Sequence, residues 1–459
     1  MTGDSETRSS DEQLDKLLGN AYESALGLGW NLGVDDVLGA SGRPRGSRVR
    51  NRFGVVLVAA AILVVFFVPL PHLSVFDRLS RQPSTSPGPS TTTTTRPTRT
   101  TLPASSITVE SVIPVGATDV WAEWYSGGGY PASPQGVQRS STAGRTWTDA
   151  TPSNLKVVTK DNSISDFFAL DADHAWITYG SVNSESPQTI VATSDGGHDW
   201  QIVGRIPKYG CSLQFVTVND GWCSIMGGEM GQSDVWIYRT VDGGRHWRLV
   251  SVGSVQRHTP GALPTNCDKT VGFVSPKIGW AVPYCNVGFG PLYETTDGGG
   301  TWKATKIEVP SFTFYVGGFL GVPVLQGRSG AVGCSFAGRT STHIIVYVTA
   351  NAGASWHEVV PPGPARGWAV DIITPSHWRL VSGKVILGTD NAGRSWRTIR
   401  SNIGNLNPGF AVARPGETLG GFVNDDVGWM FSGGVGSNLA LWRTIDGGVI
   451  WNHVAVPGV

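Results

Sequence analysis

The sequence predicts an all-β fold, a seven-bladed β-propeller, preceded by one transmembrane helix and a disordered stalk. Three observations carry that prediction. An eight-residue pattern recurs seven times in the C-terminal part of the chain, an apolar run of 19 residues lies ahead of it, and a Ser/Thr/Pro tract separates the two. Composition agrees: of 459 residues 61 are Gly and 18 are Trp, while only 15% are charged, the turn-rich and aromatic-rich profile of all-β repeat proteins. Lys+Arg and Asp+Glu balance at 35 each, so no field of one sign marks the molecule for nucleic acid.

The chain divides into four regions. Residues 1–52 form a mostly flexible tail, with one short amphipathic stretch broken by glycines within 11–38. Residues 53–71, FGVVLVAAAILVVFFVPLP, contain no charge and are long enough at about 1.5 Å per residue to cross a bilayer core of roughly 30 Å. No A-x-A-like cleavage site follows, so an anchor is expected rather than a removed signal peptide. Arg43, Arg45, Arg48, Arg50 and Arg52 crowd its N-terminal side, against Arg78 and Arg81 on the other. That asymmetry places the N-terminus in the cytoplasm and everything after the anchor outside it. Residues 72–106 include PSTSPGPSTTTTTRPTRTTLPASS, too polar to build a core and biased to extended conformations, and read as a stalk. The propeller takes up 107–459.

The repeat has Ser/Thr first, Asp/Asn two residues on, Gly at +4, a small or polar residue at +6 and Trp at +7. Its copies are SSTAGRTW (140–147), TSDGGHDW (193–200), TVDGGRHW (240–247), TTDGGGTW (295–302), TANAGASW (349–356), TDNAGRSW (389–396) and TIDGGVIW (444–451). Successive tryptophans are 53, 47, 55, 54, 40 and 55 residues apart, the period of one four-stranded blade. A softer element ends in Trp before an apolar strand at 117–121, 172–176, 219–222, 276–280 and 424–429. Each unit therefore reads as strand A, a polar turn, strand B, a variable loop, strand C, the box turn and strand D.

The box has a physical logic. Asp195, Asp242, Asp297, Asn351, Asn391 and Asp446 accept hydrogen bonds from turn amides, Gly supplies positive φ, and Trp200, Trp247, Trp302, Trp356, Trp396 and Trp451 bury their rings between blades. Thr142 stands where the first copy should carry Asp. The motif is a folding staple, not a reaction site.

These boxes, with hydrophobic-Gly-Trp segments between them, resemble the BNR or Asp-box (sialidase-like) β-propeller superfamily. Within it they look most like the repeats of the photosystem II assembly and stability factors and their bacterial relatives. The resemblance covers essentially everything after the stalk. It implies that the box lies at the C–D hairpin, on the periphery and away from the ligand face. Because the superfamily holds sialidases, endo-xyloglucanases, receptors and assembly factors, it does not fix a function.

Catalytic constellations are scarce. Arg205-Ile206-Pro207 matches a sialidase signature but follows the second box instead of preceding the first, with Gly204 ahead of it, so Pro207 is expected simply to end a strand D. Glu185, Glu229, Asp234 and Glu417 fall on the face opposite the boxes, and a Glu185/Glu229 carboxylate pair is the one arrangement a glycoside hydrolase could use. Zinc-type histidine spacing, a phosphate loop and a nucleophile elbow do not occur, so no cofactor or metal is expected. Tyr125, Tyr130, Tyr209, Tyr284 and Phe289 on that opposite face suit partner binding. Cys211 with Cys223, and Cys267 with Cys285, flank the A–B turns of blades 3 and 4 and could each staple a hairpin. Pairings across neighbouring blades, Cys223–Cys285 or Cys285–Cys334, remain open, and an odd thiol is left over, with Cys334 the candidate.

The expectation is a non-enzymatic binding or assembly module for a protein or cell-envelope glycan, anchored in the cell membrane with its propeller outside. A surface glycoside hydrolase, or a sensor coupling ligand capture to the tail, are the alternatives.

Overall fold

The computed structural model describes residues 107–456 apart from the segments 127–135, 154–162, 182–185, 209, 230–231, 255, 285–290, 306, 308–315, 320, 338–341, 363–368, 383–384, 404–419 and 433–439. The tail, the apolar segment 53–71 and the stalk lie outside the described residues. Among the described residues no helix is long and apolar enough to cross a membrane.

The chain forms seven antiparallel sheets, the blades of an all-β propeller. They cover residues 107–149, 163–206, 211–253, 268–305, 316–359, 369–400 and 420–454. Six blades have four strands in the order A-B-C-D; blade 5 has a fifth, a short hairpin strand (Val324–Gln326) between A and B. Cys211–Phe215 buries every second residue, as a strand with one face on the core does, while Gly136–Ser140 and Gln188–Thr193 are buried at most positions, as strands covered on both faces are. The A strands of blades 2 and 3, of 3 and 4, and of 7 and 1 lie beside one another, and strand A of blades 5 and 6 lies beside strand B of the blade before it. Every blade is one continuous stretch of sequence, so the ring closes without exchanging a strand.

The seven box turns share one geometry. The hydroxyl of the first residue accepts the +4 amide at 2.9 to 3.0 Å, from Ser140–Gly144 to Thr444–Gly448. The +2 side chain accepts the +6 amide at 2.9 to 3.0 Å; Thr142 does so with its hydroxyl. In each blade the +3 amide donates to a carbonyl of the A–B turn, as Gly243 N to Asn219 O at 3.0 Å. That bond ties the box turn and the A–B turn together at the same end of the blade. Positions +3 and +4 have positive φ in all seven copies, and in three of them +3 is alanine: Ala143 (59°), Ala352 (60°) and Ala392 (57°).

Each junction between blades has its own hydrophobic cluster. The deepest side chains there are not the box tryptophans but those at the start of strand B. Trp121, Trp222, Trp280 and Trp429 are at most 1% exposed, whereas Trp147, Trp247 and Trp396 of the boxes are only partly buried. Burying one such ring contributes roughly 4 kcal/mol by area, an upper figure. The strand-B rings also reach the next blade: Trp121 Nε1 donates to Asp171 O, Trp176 to Gly243 O and Trp222 to Gly298 O, at 2.9 to 3.1 Å. The same packing closes the ring, where Val112, Val120 and Ala122 of blade 1 meet Trp429, Leu441, Val454 and Val456. Arg443 donates to Ala117 O at 2.7 Å and Trp147 to Ala455 O at 3.1 Å across that seam.

Candidate functional site

Two places depart from the sevenfold pattern. The first is the end of the propeller opposite the boxes, where strands B and C meet. Strand C has nine residues in blade 3 (Gln232–Thr240) and eight in blade 5 (Thr342–Thr349), against four to six in the others. All of these strands end on the box Ser/Thr, so the difference lies at the other end. Blades 3 and 5, with these longer described C strands, flank blade 4.

Tyr125 and Tyr284 fall at this end, in strand B of blades 1 and 4, where their backbones pair with Thr108 and Asp268. Tyr130, Tyr209 and Phe289 lie outside the described residues, as does Glu185. Glu229 ends strand B of blade 3, and Asp234 accepts the Ser254 hydroxyl at 2.8 Å. Strand D of blade 2 stops at Ile206, leaving Arg205 exposed and Pro207 just beyond the strand.

Sequence reasoning missed the polar groups under this end. Lys269, 2% exposed, donates from Nζ to the carbonyls of Asn266 and Cys267. Burial pulls its amine down to about 8, against the opposing charge of Asp268. Lys208 Nζ lies 4.2 Å from the centre of the Trp236 ring, a cation–π contact. Cys211 is joined to Cys223 across the A–B hairpin of blade 3. Cys267 is also disulfide-bonded, Cys285 lies outside the described residues, and Cys334 is a buried free thiol.

Three aspartates of the innermost strands each hold a neighbour. Asp166 accepts Leu213 N at 2.5 Å, Asp268 accepts the Ser233 hydroxyl, and Asp371 accepts Phe422 N. Gln214 does the same work between blades 3 and 4, bonding both Phe273 N (2.7 Å) and Phe273 O (2.9 Å).

The second departure is the junction of blades 6 and 7. Strand register puts Trp121, Trp176, Trp222, Trp280 and Trp429 one residue inside the box Ser/Thr pair, opposite the residue before the box. In blade 5 that slot holds Ala331, and in blade 6 it holds Arg379, with Trp378 shifted back by one. Arg379 is fully buried and donates to Asp425 O at 3.1 Å, as Trp121 does to Asp171 O. It also reaches Asp425 Oδ1 and Asp390 Oδ1, both at 3.3 Å, and His377 Nδ1 lies 2.6 Å from Asp425 Oδ2.

Elsewhere an arginine just before the box occupies this region: Arg139, Arg239 and Arg443 lie 5.7, 5.4 and 5.3 Å from the rings of Trp121, Trp222 and Trp429. Blade 6 has Gly388 there, and Arg379, paired across from it, supplies the missing guanidinium from the next strand. Burial lifts the Asp371 carboxyl to about 6, while Phe422 N–H and Arg379 pull it the other way. For Asp390 burial works upward too, yet Arg397 and Arg379 outweigh it and hold the carboxyl below its usual range. His377, Asp390 and Asp425 offer ligand atoms within 4.8 Å of one another, but Arg379 already bonds both carboxylates. The arrangement fits an ion-pair network better than a cation site.

No family model and no curated protein matches the chain. Similar solved structures include YCF48 bound to D1 peptide, at 17% identity and a TM-score of 0.43, covering 75% of this chain and 95% of that one. A prolyl endopeptidase matches at 10% identity and a TM-score of 0.49, over 76% of this chain and 50% of its own. An ancestral GH74 enzyme matches at 15% identity and a TM-score of 0.41, over 74% of this chain and 44% of its own. The propeller assignment rests on this chain's own sheets.

Proposed function

We propose that the chain is a membrane-anchored, extracytoplasmic β-propeller of the Asp-box type that binds a protein or cell-envelope glycan partner without catalysis. The observation that carries this reading is the length of strand C in blades 3 and 5, nine and eight residues, which extends the described sheet at the end opposite the structural boxes. Loops held at one end of a rigid scaffold are where binding residues concentrate. Commitment of Asp166, Asp268 and Asp371 to neighbouring groups weighs against a pair of catalytic carboxylates at the axis. The Cys211–Cys223 disulfide supports an oxidising compartment, as the anchor topology requires.

The test is a photo-crosslinker at Glu229 on the blade 3 hairpin, in the full chain in intact cells, with a second at Ile202 on an outer strand as control. A discrete adduct from Glu229 alone supports the reading. Adducts from neither position, or glycoside turnover by the purified protein, overturn it. Protease added to intact cells tests the topology independently: cleavage in 72–106 releases the propeller, and protection refutes the orientation.

A further inference from the structure

The box end, which the reading above treats as purely structural, carries most of the exposed aliphatic surface. Eight large hydrophobic residues are exposed among the described residues, and six of them lie in box or A–B turns: Val218, Val241, Val274, Ile445, Val449 and Ile450. The other two, Ile202 and Val360, lie in or after D strands. Blade 7 is the extreme case. Its box turn exposes Ile445 (60%), Val449 (45%) and Ile450 (51%), where the corresponding +5 and +6 positions of the other six turns are small or polar. None of these side chains is needed by the turn, because the box bonds use backbone amides and the Thr and Asp side chains.

The six do not form one patch. Val218, Val241 and Val274 belong to blades 3 and 4 and the other three to blade 7, with two blades between these groups whichever way round the ring is taken. A peptide or a small ligand would touch one group; a plane touches both. Arginine stands among them at box position +5, as Arg145, Arg245 and Arg394, all exposed, and no acid occupies that position in any copy. Exposed acids also stand on this side, Asp173, Asp195, Asp199, Asp297, Asp390, Asp426 and Asp446, so the end is of mixed charge. Aliphatic tips that enter the acyl boundary, beside guanidinium groups at headgroup depth, are the side-chain pattern of a surface lying on phospholipid.

We infer that the box end of the propeller rests on a phospholipid bilayer, with the turns of blade 7 and of blades 3 and 4 inserted at its surface. The inference rests on the anchored reading for its proximity to a membrane. Residues 72–106 give 35 residues of tether, at most about 120 Å when extended, so any end of the propeller can turn to the bilayer. The B–C end of the propeller then points away from the membrane, toward a partner.

The full chain is reconstituted into vesicles of phosphatidylcholine and phosphatidylglycerol, with an environment-sensitive fluorophore at Ile450→Cys, Val241→Cys or, at the opposite end, Gln256→Cys. All three positions are exposed, and the buried Cys334 thiol, its pKa raised by burial, stays unlabelled. The expected result is blue-shifted emission from the first two, most of it lost when the lipids carry acyl-chain quenchers, and unchanged, water-like emission from the third. Water-like emission from Ile450→Cys or Val241→Cys overturns the inference, as does equal quenching of all three. Anchoring is read separately by alkaline carbonate extraction. Release by carbonate of a chain whose two box-end labels were quenched refutes the anchor and leaves the face. Retention with unquenched labels does the reverse.

Discussion

Replacing Ala352 by glycine is expected to stabilise the propeller. Ala352 sits at box position +3 with φ of 60°, in the left-handed region where an L side chain crowds its own carbonyl at a cost of about 1–2 kcal/mol. Four other copies carry glycine there, Gly196, Gly243, Gly298 and Gly447, with φ between 72° and 78°. Removing the methyl relieves that cost but gives the unfolded chain more freedom, worth about 0.4–1 kcal/mol in the opposite sense. The net gain is roughly 0.5 kcal/mol per site. Ala143 and Ala352 should behave alike, while Ala392, which packs against the cluster around Trp378, should gain less. The converse change, Gly243→Ala, meets the same backbone cost and brings a Cβ to 3.1 Å from Val218 O, so it should lose roughly 1 kcal/mol. The assay is urea unfolding of each variant, followed by tryptophan fluorescence and compared at equal slope. If Ala352→Gly destabilises as much as Gly243→Ala, backbone strain is not what distinguishes the two kinds of turn.

Three further outcomes are expected. Arg379→Met removes the cation shared by Asp425 and Asp390 and should cost about 3 kcal/mol, the low end for a broken buried pair because both carboxylates are more than 40% exposed, measurable by the same unfolding series. Asp371 has a folded pKa of about 6, above its unfolded 3.8, so its ionisation favours the unfolded chain: stability should fall as pH rises from about 4 to about 6, and Asp371→Asn, which still accepts Phe422 N–H, should flatten that slope in urea midpoints taken across the range. Cys211→Ser with Cys223→Ser opens a loop of 12-residue separation and should lose roughly 3 kcal/mol by the chain-entropy relation, whereas Cys334→Ser, which loses only a buried thiol, should not alter electrophoretic mobility under non-reducing conditions.

Much of the fold was legible because the box is a local object. Its hydroxyl, carboxylate and glycine act within eight residues, so each copy announces its own turn, and spacing then gives the blades. The second element was legible only where its tryptophan stood in register. Ala331 replaces it in blade 5, and PSHWR displaces it in blade 6, so that Arg379 enters a slot whose other occupants are aromatic. A one-residue shift in a strand changes which face a side chain takes, and no local pattern reports it. Lys269 and Asp371 were invisible for a related reason: their partners, Asn266 and Cys267 for one and Phe422 for the other, are backbone groups that any sequence supplies. The loop aromatics were named from residue type alone. Only Tyr125 and Tyr284 fall within the described strands, and there they are placed by backbone register.

Ring closure by side chains has a consequence for how such a molecule is made. Each blade is complete once its own stretch of sequence has emerged, and strand A of blade 1 waits with an open flank until blade 7 arrives. Until then the N-terminal blade is an unsealed edge, and Val454, Ala455 and Val456, at and just beyond the end of the final described strand, are among the residues that seal it. The seam is also where a gene could gain or lose a whole unit without cutting through any sheet.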